Sequence, residues 1–315
     1  TLLKNSLKEM KICLLAVDEA HCISQWGYDF RPPYLEIAEI RNILPSSVPV
    51  LALTATATPE VVTDIQKKLA FKKESVFQKS FVRENLTYFV FKEENKLKRL
   101  LQIIQKTPGT GIVYVRNRKK TQEIARFLSE NKHSADYYHA GLSMQERAKK
   151  QTHWTQGKTR IIVSTNAFGM GIDKPDVRFV IHMDLPDTLE AYFQEAGRGG
   201  RDEKRSFAIL LYENADILNL NQNFENSFPP LSIIQDVYQA IGNYFHIPIG
   251  NGEGLTFEFN NNDFANTYKF KPLVSYHALK FIEKAGLITF TDPYSNASKI
   301  FIDASREDLY KFQVE

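Results

Sequence analysis

Short apolar runs alternate with amphipathic stretches over the first two-thirds of the chain, and the alternation stops near Tyr212. The runs "ICLLAVDEAH" and "VPVLALTATAT" are brief, rich in Leu and Val, and end in polar residues. A buried parallel strand with a functional loop at its carboxyl end has this pattern. Between them, "PPYLEIAEIRNIL" repeats apolar residues at helical spacing. "TPEVVTDIQKKLAF" predicts a helix with Thr58 as N-cap, Pro59 at the first helical position and Glu60 in the first turn. From about Val82 to Glu213 the alternation is fuller. "GIVYVRN", "ADYYHAG", "RIIVST", "RFVIHMD" and "SFAILLY" predict strands. "RKKTQEIARFLSEN", "SMQERAKKQTHWTQG" and "TLEAYFQEAGRGG" predict helices, the second opened by a Ser143–Glu146 capping box. Such alternation predicts an α/β fold, a parallel sheet with helices on both faces.

After Tyr212 the pattern changes. "NADILNLNQNFENSF" and "PPLSIIQDVYQAIGNYF" predict helices, and "IPIGNGEGLTFEFNNNDF" a turn-rich connection with a short strand. "LVSYHALKFIEKAG" predicts an amphipathic helix closed by Gly286, and "LITFTD" to "KIFIDA" a β-hairpin. Helices followed by a hairpin predict a winged-helix-like region over Asn262 to Ala304. The expected division is therefore 1–77, 78–213 and 214–315.

Composition narrows the class without choosing a function. Of 315 residues, 43% are hydrophobic and 24% charged, as in ordinary globular proteins, and the net charge of +3 is compatible with nucleic acid without implying it. Two cysteines, Cys13 and Cys22, are too few for a structural zinc site or a disulfide framework, and both lie in or beside apolar stretches where reduced, packed thiols are expected. No apolar run approaches the ~20 residues of a membrane span.

Four segments carry candidate chemistry. Asp18 and Glu19 end an apolar strand: Asp18 can hold Mg²⁺ through water, Glu19 can orient or deprotonate a water attacking a γ-phosphate, and His21 can couple that site to a neighbouring segment. An acidic pair at a strand end is common by itself; an apolar strand ending in Asp-Glu-Ala-His is much more specific. "TATAT" places the hydroxyls of Thr54 and Thr56 after the second run, where they can bridge a phosphate site to the far side of a cleft; helix capping by Thr58 is the plainer reading. "YFQEAGRGGRD" sets Arg198 and Arg201 among glycines, offering bidentate donors to phosphate, against the plainer reading of a solvated basic loop. "STNAFGMGIDKPDV" is a glycine-rich loop after a strand. Arg116, Asn117 and Arg118 follow "GIVYV" and are either backbone contacts to nucleic acid or a solvated helix start.

In this order the segments resemble superfamily 2 helicases and, within them, the RecQ DNA helicases, over about Lys11 to Tyr212. "DEAH" is similar to the Walker B box, "LALTATAT" to the coupling motif, and "IIVSTNAFGMGIDKPDVRFVIH" and "QEAGRGGRD" to the fifth and sixth helicase motifs. "SQWGYDFRPPY" resembles the aromatic-rich loop that separates RecQ from RNA helicases. The resemblance implies two RecA-like lobes, the first partial and the second complete. It implies an ATP-dependent 3′ to 5′ DNA helicase of repair and recombination, with ATP and Mg²⁺ as cofactors. Its partners would be single-stranded and partial duplex DNA, and its place a bacterial-type cytoplasm, nucleoid-associated. Arg201 would be the arginine finger, assisted by Arg198 and Gln194, with Gly171 and Asp173 near the nucleotide. Gln25, Trp26, Phe30 and Arg31 would contact DNA, the aromatics stacking on bases without regard to sequence. The family often has a four-cysteine zinc module; with no cysteine after Tyr212, no zinc is expected. A duplex DNA translocase and a non-enzymatic DNA-binding or interaction module are the alternatives.

An ATPase of this type needs a G-x-x-x-x-G-K-[ST] loop between a strand and a helix. "QGKTR", Gln156 to Arg160, imitates it, but Thr152 stands where the first glycine belongs and a strand is expected next. The chain therefore resembles the C-terminal part of a longer helicase, and by itself it is expected not to hydrolyse ATP detectably. Robust DNA-stimulated turnover by the pure 315-residue chain, in a phosphate-release assay, would refute this.

Overall fold

The computed structural model describes the chain apart from residues 1–5, 8–9, 25–33, 56, 74, 81, 170–171, 249–251, 253 and 291–315. Two compact units divide it, Thr1–Ile217 and Leu218–Glu315. The first holds two parallel sheets. In the smaller, β1 (Leu15–Val17) pairs with β2 (Val50–Ala52), Leu15 opposite Val50. Two helices accompany it, α1 (Leu35–Ile43) and α2 (Pro59–Lys68), and α2 starts as its sequence predicts, with Pro59 at the first position and the Thr58 hydroxyl accepting the Val61 amide. Its core gathers Val17, Ala20, Ile23, Val61, Ile65 and Leu69.

The larger sheet has six strands, β3 (Leu86–Lys92), β4 (Thr110–Tyr114), β5 (Ala135–Tyr138), β6 (Ile161–Ser164), β7 (Val177–His182) and β8 (Ser206–Tyr212). Their spatial order is β3-β8-β7-β4-β6-β5 and every pairing is parallel. The connecting helices are α3 (Lys96–Lys106), α4 (Arg118–Glu130), α5 (Met144–Thr155) and α6 (Leu189–Ala196). This is the expected α/β alternation, with one strand and one helix added at its start. β3 is an edge strand whose Tyr88, Phe89 and Val90 stay exposed, so it lacks the inward-outward contrast of a half-buried strand.

Period-two alternation along β4 separates the two cores. Val113 and Val115 join Leu100, Ile104, Ile124 and Leu128 of α3 and α4 on one face. Ile112 and Tyr114 join Trp154 of α5 and Phe168 on the other. Gly111 lets the faces close: a Cβ there would lie 1.9 Å from the Phe179 ring, and its carbonyl accepts the Trp154 indole N–H at 3.2 Å.

The helix α7 (Asn214–Ser227) carries the chain from the first unit into the second, so the compact division falls inside it, a few residues beyond the expected boundary at 214. In the second unit α8 (Leu231–Tyr244), α9 (Asn261–Tyr268) and α10 (Pro272–Lys284) bury Val237, Ala240, Phe264, Ala278, Leu279 and Ile282. The short strand expected within 247–264 does not form among the described residues. Phe257 stacks on Phe245 and Phe259 packs edge-on to Tyr244 instead, so aromatic burial replaces strand pairing. Helix α9, unforeseen from its asparagine-rich sequence, is capped by Asn260, whose side chain accepts the amides of Asn262 and Asp263. Lys269 in the left-handed region (φ 59°) then turns the chain into α10 within three residues, a helix-turn-helix. The expected hairpin falls mostly on 291–304, outside the described residues.

Gly111→Ala is expected to lower stability by about 1–3 kcal/mol through overpacking against Phe179, read as a lower denaturant midpoint at unchanged m-value.

Candidate nucleotide and nucleic-acid site

The acidic segment leaves β1 through a strained turn. Glu19 adopts φ 48° and ψ 43°, a left-handed conformation that non-glycine residues seldom take. Local bonds hold it there. The Ala20 amide donates to the Leu53 carbonyl at 2.9 Å, and a 3-10 turn, Ala20–Ile23, follows at once. That turn is tied to α2: the Ser24 hydroxyl donates to Asp64 at 2.7 Å and the Lys68 ammonium to the Ile23 carbonyl at 3.0 Å. Asp18 is exposed, one oxygen taking the Glu19 amide at 2.9 Å. His21 is buried with Nδ1 3.4 Å from the Glu19 carboxylate and 3.0 Å from the Thr54 hydroxyl. Asp18, Glu19, His21 and Thr54 thus share one neighbourhood across the carboxyl ends of β1 and β2. An exposed carboxylate beside a second one suits an outer-shell Mg²⁺. Cys22 is buried as expected, whereas Cys13 is exposed on the approach to β1, because three residues of strand give it no cover.

The arginine segment ends α6. Arg201 is partly exposed, and one of its nitrogens donates to Asp173 at 2.9 Å and to the Ile172 carbonyl at 3.2 Å. Arg198 is buried with its positive charge near the Tyr114 hydroxyl, which itself donates to the Phe168 carbonyl at 2.8 Å. Burial raises the Tyr114 hydroxyl far above the ordinary phenol range, so it stays protonated. Gln194 sits half-buried on α6. Among the described residues no hydrogen bond or ion pair joins Asp18 or Glu19 to Arg198 or Arg201.

Two residues outside the sequence reading organise the arginine turn. Arg83 donates to the carbonyls of Gly197, Gly199 and Gly200, at 3.4, 3.1 and 2.7 Å. Asn85 donates to those of Gly200 and Lys204, at 2.7 and 3.0 Å. A cation here satisfies carbonyls of the turn that follows α6 and complements the negative end of the helix dipole. Gly200 has φ 59°, and a Cβ would meet the Asn85 amide and the Ser206 hydroxyl at 2.6 Å, so glycine is required. The only cue in sequence is a polar pair just before β3, which periodicity cannot interpret.

At the carboxyl edge of the large sheet, the ends of β4 and β7 bound a recess of about 120 Å³, lined by Tyr114, Arg116, Asn166, Asp184, Asp187 and Glu195 among others. His182 is buried beneath it, its Nε2 2.9 Å from Glu195 and its ring stacked on Tyr114. Tyr192 packs edge-on to His182, and burial pushes its hydroxyl up to about 12. Arg116 is ion-paired with Asp187. Asn117 caps α4, its side-chain oxygen accepting the Lys119 amide at 2.8 Å. In "QGKTR" the Gly157 amide donates back to Trp154 and those of Lys158 and Thr159 to His153, so none points outward to a phosphate. Ser275 in the expected winged-helix-like region is fully buried and donates to Asn261 at 2.8 Å, bracing the helix-turn-helix. His277 and Lys280 of the same helix are only partly buried. Gln25, Trp26, Phe30, Arg31, Thr56 and Gly171 lie outside the described residues.

Residues 95–203 match the helicase conserved C-terminal domain. The chain is 44% identical over 215 residues to the RecQ-like DNA helicase blm-1 of Caenorhabditis elegans, covering 66% of this chain and 22% of that protein. It is also 44% identical over 213 residues to the ATP-dependent DNA helicase RecQ of Bacillus subtilis (strain 168), covering 67% of this chain and 36% of that protein. The chain belongs to the RecQ helicase family. It spans between about a fifth and a half of the length of the curated relatives it matches. Saccharomyces cerevisiae Dbp5 L327V bound to RNA and ADP BeF3 shares its fold, with a TM-score of 0.54 at 18% identity over 88% of this chain and 67% of that one. The matched domain starts after β3, so Arg83 and Asn85 lie outside it, although they hold the last turn inside it. Among the described residues of this RecQ-family chain no cluster of three or more His, Cys, Asp or Glu could hold a metal, and no helix is long and apolar enough to cross a membrane.

Arg83→Ala is expected to destabilise the chain by about 1–3 kcal/mol, because buried carbonyls lose their donor. Arg83→Lys recovers little, since a point cation cannot serve three carbonyls as the guanidinium fork does. Urea unfolding of the three proteins checks both.

Proposed function

We propose that the chain supplies the motor residues of an ATP-dependent 3′ to 5′ DNA helicase of RecQ type, acting in repair and recombination. The observation that carries the reading is the arginine turn. Arg201 is partly exposed, is steadied by Asp173, and follows a helix anchored to a parallel sheet within the matched helicase domain. A guanidinium so placed can meet the γ-phosphate of ATP at a cleft and stabilise charge in the transition state. Arg198, buried against Tyr114, holds the turn; Gln194, Gly171 and Asp173 complete the nucleotide-facing side. Across the cleft Asp18 would hold Mg²⁺ through water, Glu19 would orient the attacking water, and His21 with Thr54 and Thr56 would pass the state of that site to the DNA side. The magnesium ion supplies charge neutralisation on the β- and γ-phosphates when bound.

DNA is the proposed polymer, as single strands and partial duplexes, in a bacterial-type cytoplasm. Relatives named as DNA helicases support this, as does the sequence segment with Gln25, Trp26, Phe30 and Arg31, whose aromatics suit stacking on unpaired bases. Arg116 and Asn117 at the carboxyl edge would meet the phosphate backbone, which makes binding salt-dependent. The domains follow the same reading: 1–77 from a first motor lobe, 78–213 the second, and 214–315 an accessory region whose helix-turn-helix suits a DNA contact. No zinc enters this scheme.

The test joins this chain to a first lobe carrying a G-x-x-x-x-G-K-[ST] loop. Arg201→Ala is expected to lower kcat by about 10³-fold or more while DNA affinity stays within about twofold, and Glu19→Gln to abolish turnover. ATPase stimulated by blunt duplex but not by single strands would instead favour a duplex translocase. Retained turnover in Glu19→Gln would remove the motor role.

A further inference from the structure

The acids and bases around the recess are not equivalent. Arg116, Arg118, Lys119 and Lys120 cluster at the start of α4, where the helix dipole adds positive potential. The loop between β7 and α6 answers with two carboxylates, Asp184 and Asp187. Asp184 is built into the fold: it is nearly buried, one oxygen accepts the Arg116 amide at 3.0 Å and the other pairs with Lys120 at 3.0 Å. Asp187 is different. Its side chain is 67% exposed and its ion pair is with the Arg116 guanidinium, itself 31% exposed at the mouth of the recess.

We propose that Asp187 is a displaceable counter-ion that occupies Arg116 until a nucleic-acid phosphate replaces it, and that it thereby sets the affinity and salt dependence of binding at this edge. The inference rests on the reading of Arg116 as a backbone contact and adds a residue to it. A carboxylate and a phosphate both present oxygens to the same guanidinium fork, so they compete for it. An exposed ion pair is weak enough to be exchanged without disturbing the fold. Asp184 keeps the backbone of Arg116 in place while its side chain changes partner, and Pro186 between the two acids restricts the loop that presents Asp187.

The experiment measures binding of a labelled oligo-dT strand to the 315-residue chain by fluorescence anisotropy over a range of salt. Asp187→Asn, isosteric and exposed, is expected to tighten binding about three- to fivefold, the scale of an exposed ion pair. It is also expected to steepen the dependence of log Kd on log salt by about 0.7, one further phosphate on a single strand. Arg116→Ala weakens binding, and in that background Asp187→Asn gains nothing. Glu130→Gln, which removes an acid at the far end of α4, serves as the charge control and changes affinity by less than about twofold. An equal gain from Glu130→Gln, or a gain that persists without Arg116, overturns the proposal. If Arg116→Ala weakens binding but Asp187→Asn has no effect, the proposal fails alone. If Arg116→Ala has no effect, or no variant binds, the backbone-contact reading fails with it.

Discussion

The groups around the recess emerge at one edge of the large sheet because all six of its strands run the same way. Parallel pairing forces each connection to cross over a face and return, so the loops leaving the carboxyl ends gather side by side. Tyr114 and Arg116 leave β4, Ser164 and Asn166 leave β6, and His182 and Asp184 leave β7, although up to 70 residues of sequence separate them. β4 lies between β6 and β7, where successive crossovers diverge. That is the crevice where open parallel sheets bind ligands, and here it is the recess beside Arg116.

The same geometry explains why the arginine turn needs help from elsewhere. Helix α6 returns toward the amino end of β8, and the turn after it leaves the carbonyls of Gly199 and Gly200 in a buried position. Arg83, arriving just before β3, fills that need because β3 and β8 are paired neighbours. The turn is therefore held by Arg83 and Asn85, with Arg198 buried near Tyr114 and Arg201 partly exposed. Two arginines three residues apart thus differ in burial, one inside and one at the surface.

The acidic turn shows the complementary device. Glu19 is kept in a costly backbone conformation by neighbours that gain from it: the Ala20 amide finds Leu53, and His21 enters the interior between Glu19 and Thr54. Strain of this kind persists only where surrounding bonds over-determine it. In the second unit the balance is simpler. Aromatic rings pack where a short strand was expected, and Ser275 is drawn inward to brace a tight turn.

The pattern along the chain determined the class of fold: short apolar runs ending in polar residues, spaced by amphipathic helices, bury both faces of their strands as a covered parallel sheet. Local chemistry in the sequence also marked Asp18, Glu19, Arg198 and Arg201, because glycine, arginine and carboxylate at strand and helix ends are recognisable without partners. Strand order lay beyond it, and with it everything that depends on neighbours distant in sequence. That Arg83 reaches Gly200, that Tyr114 takes Arg198, and that Asp187 meets Arg116 were decided when β3 paired with β8 and β7 with β4. Edge strand β3 and the asparagine-capped α9 likewise gain their identity from packing, since neither carries enough contrast along its own residues to declare it.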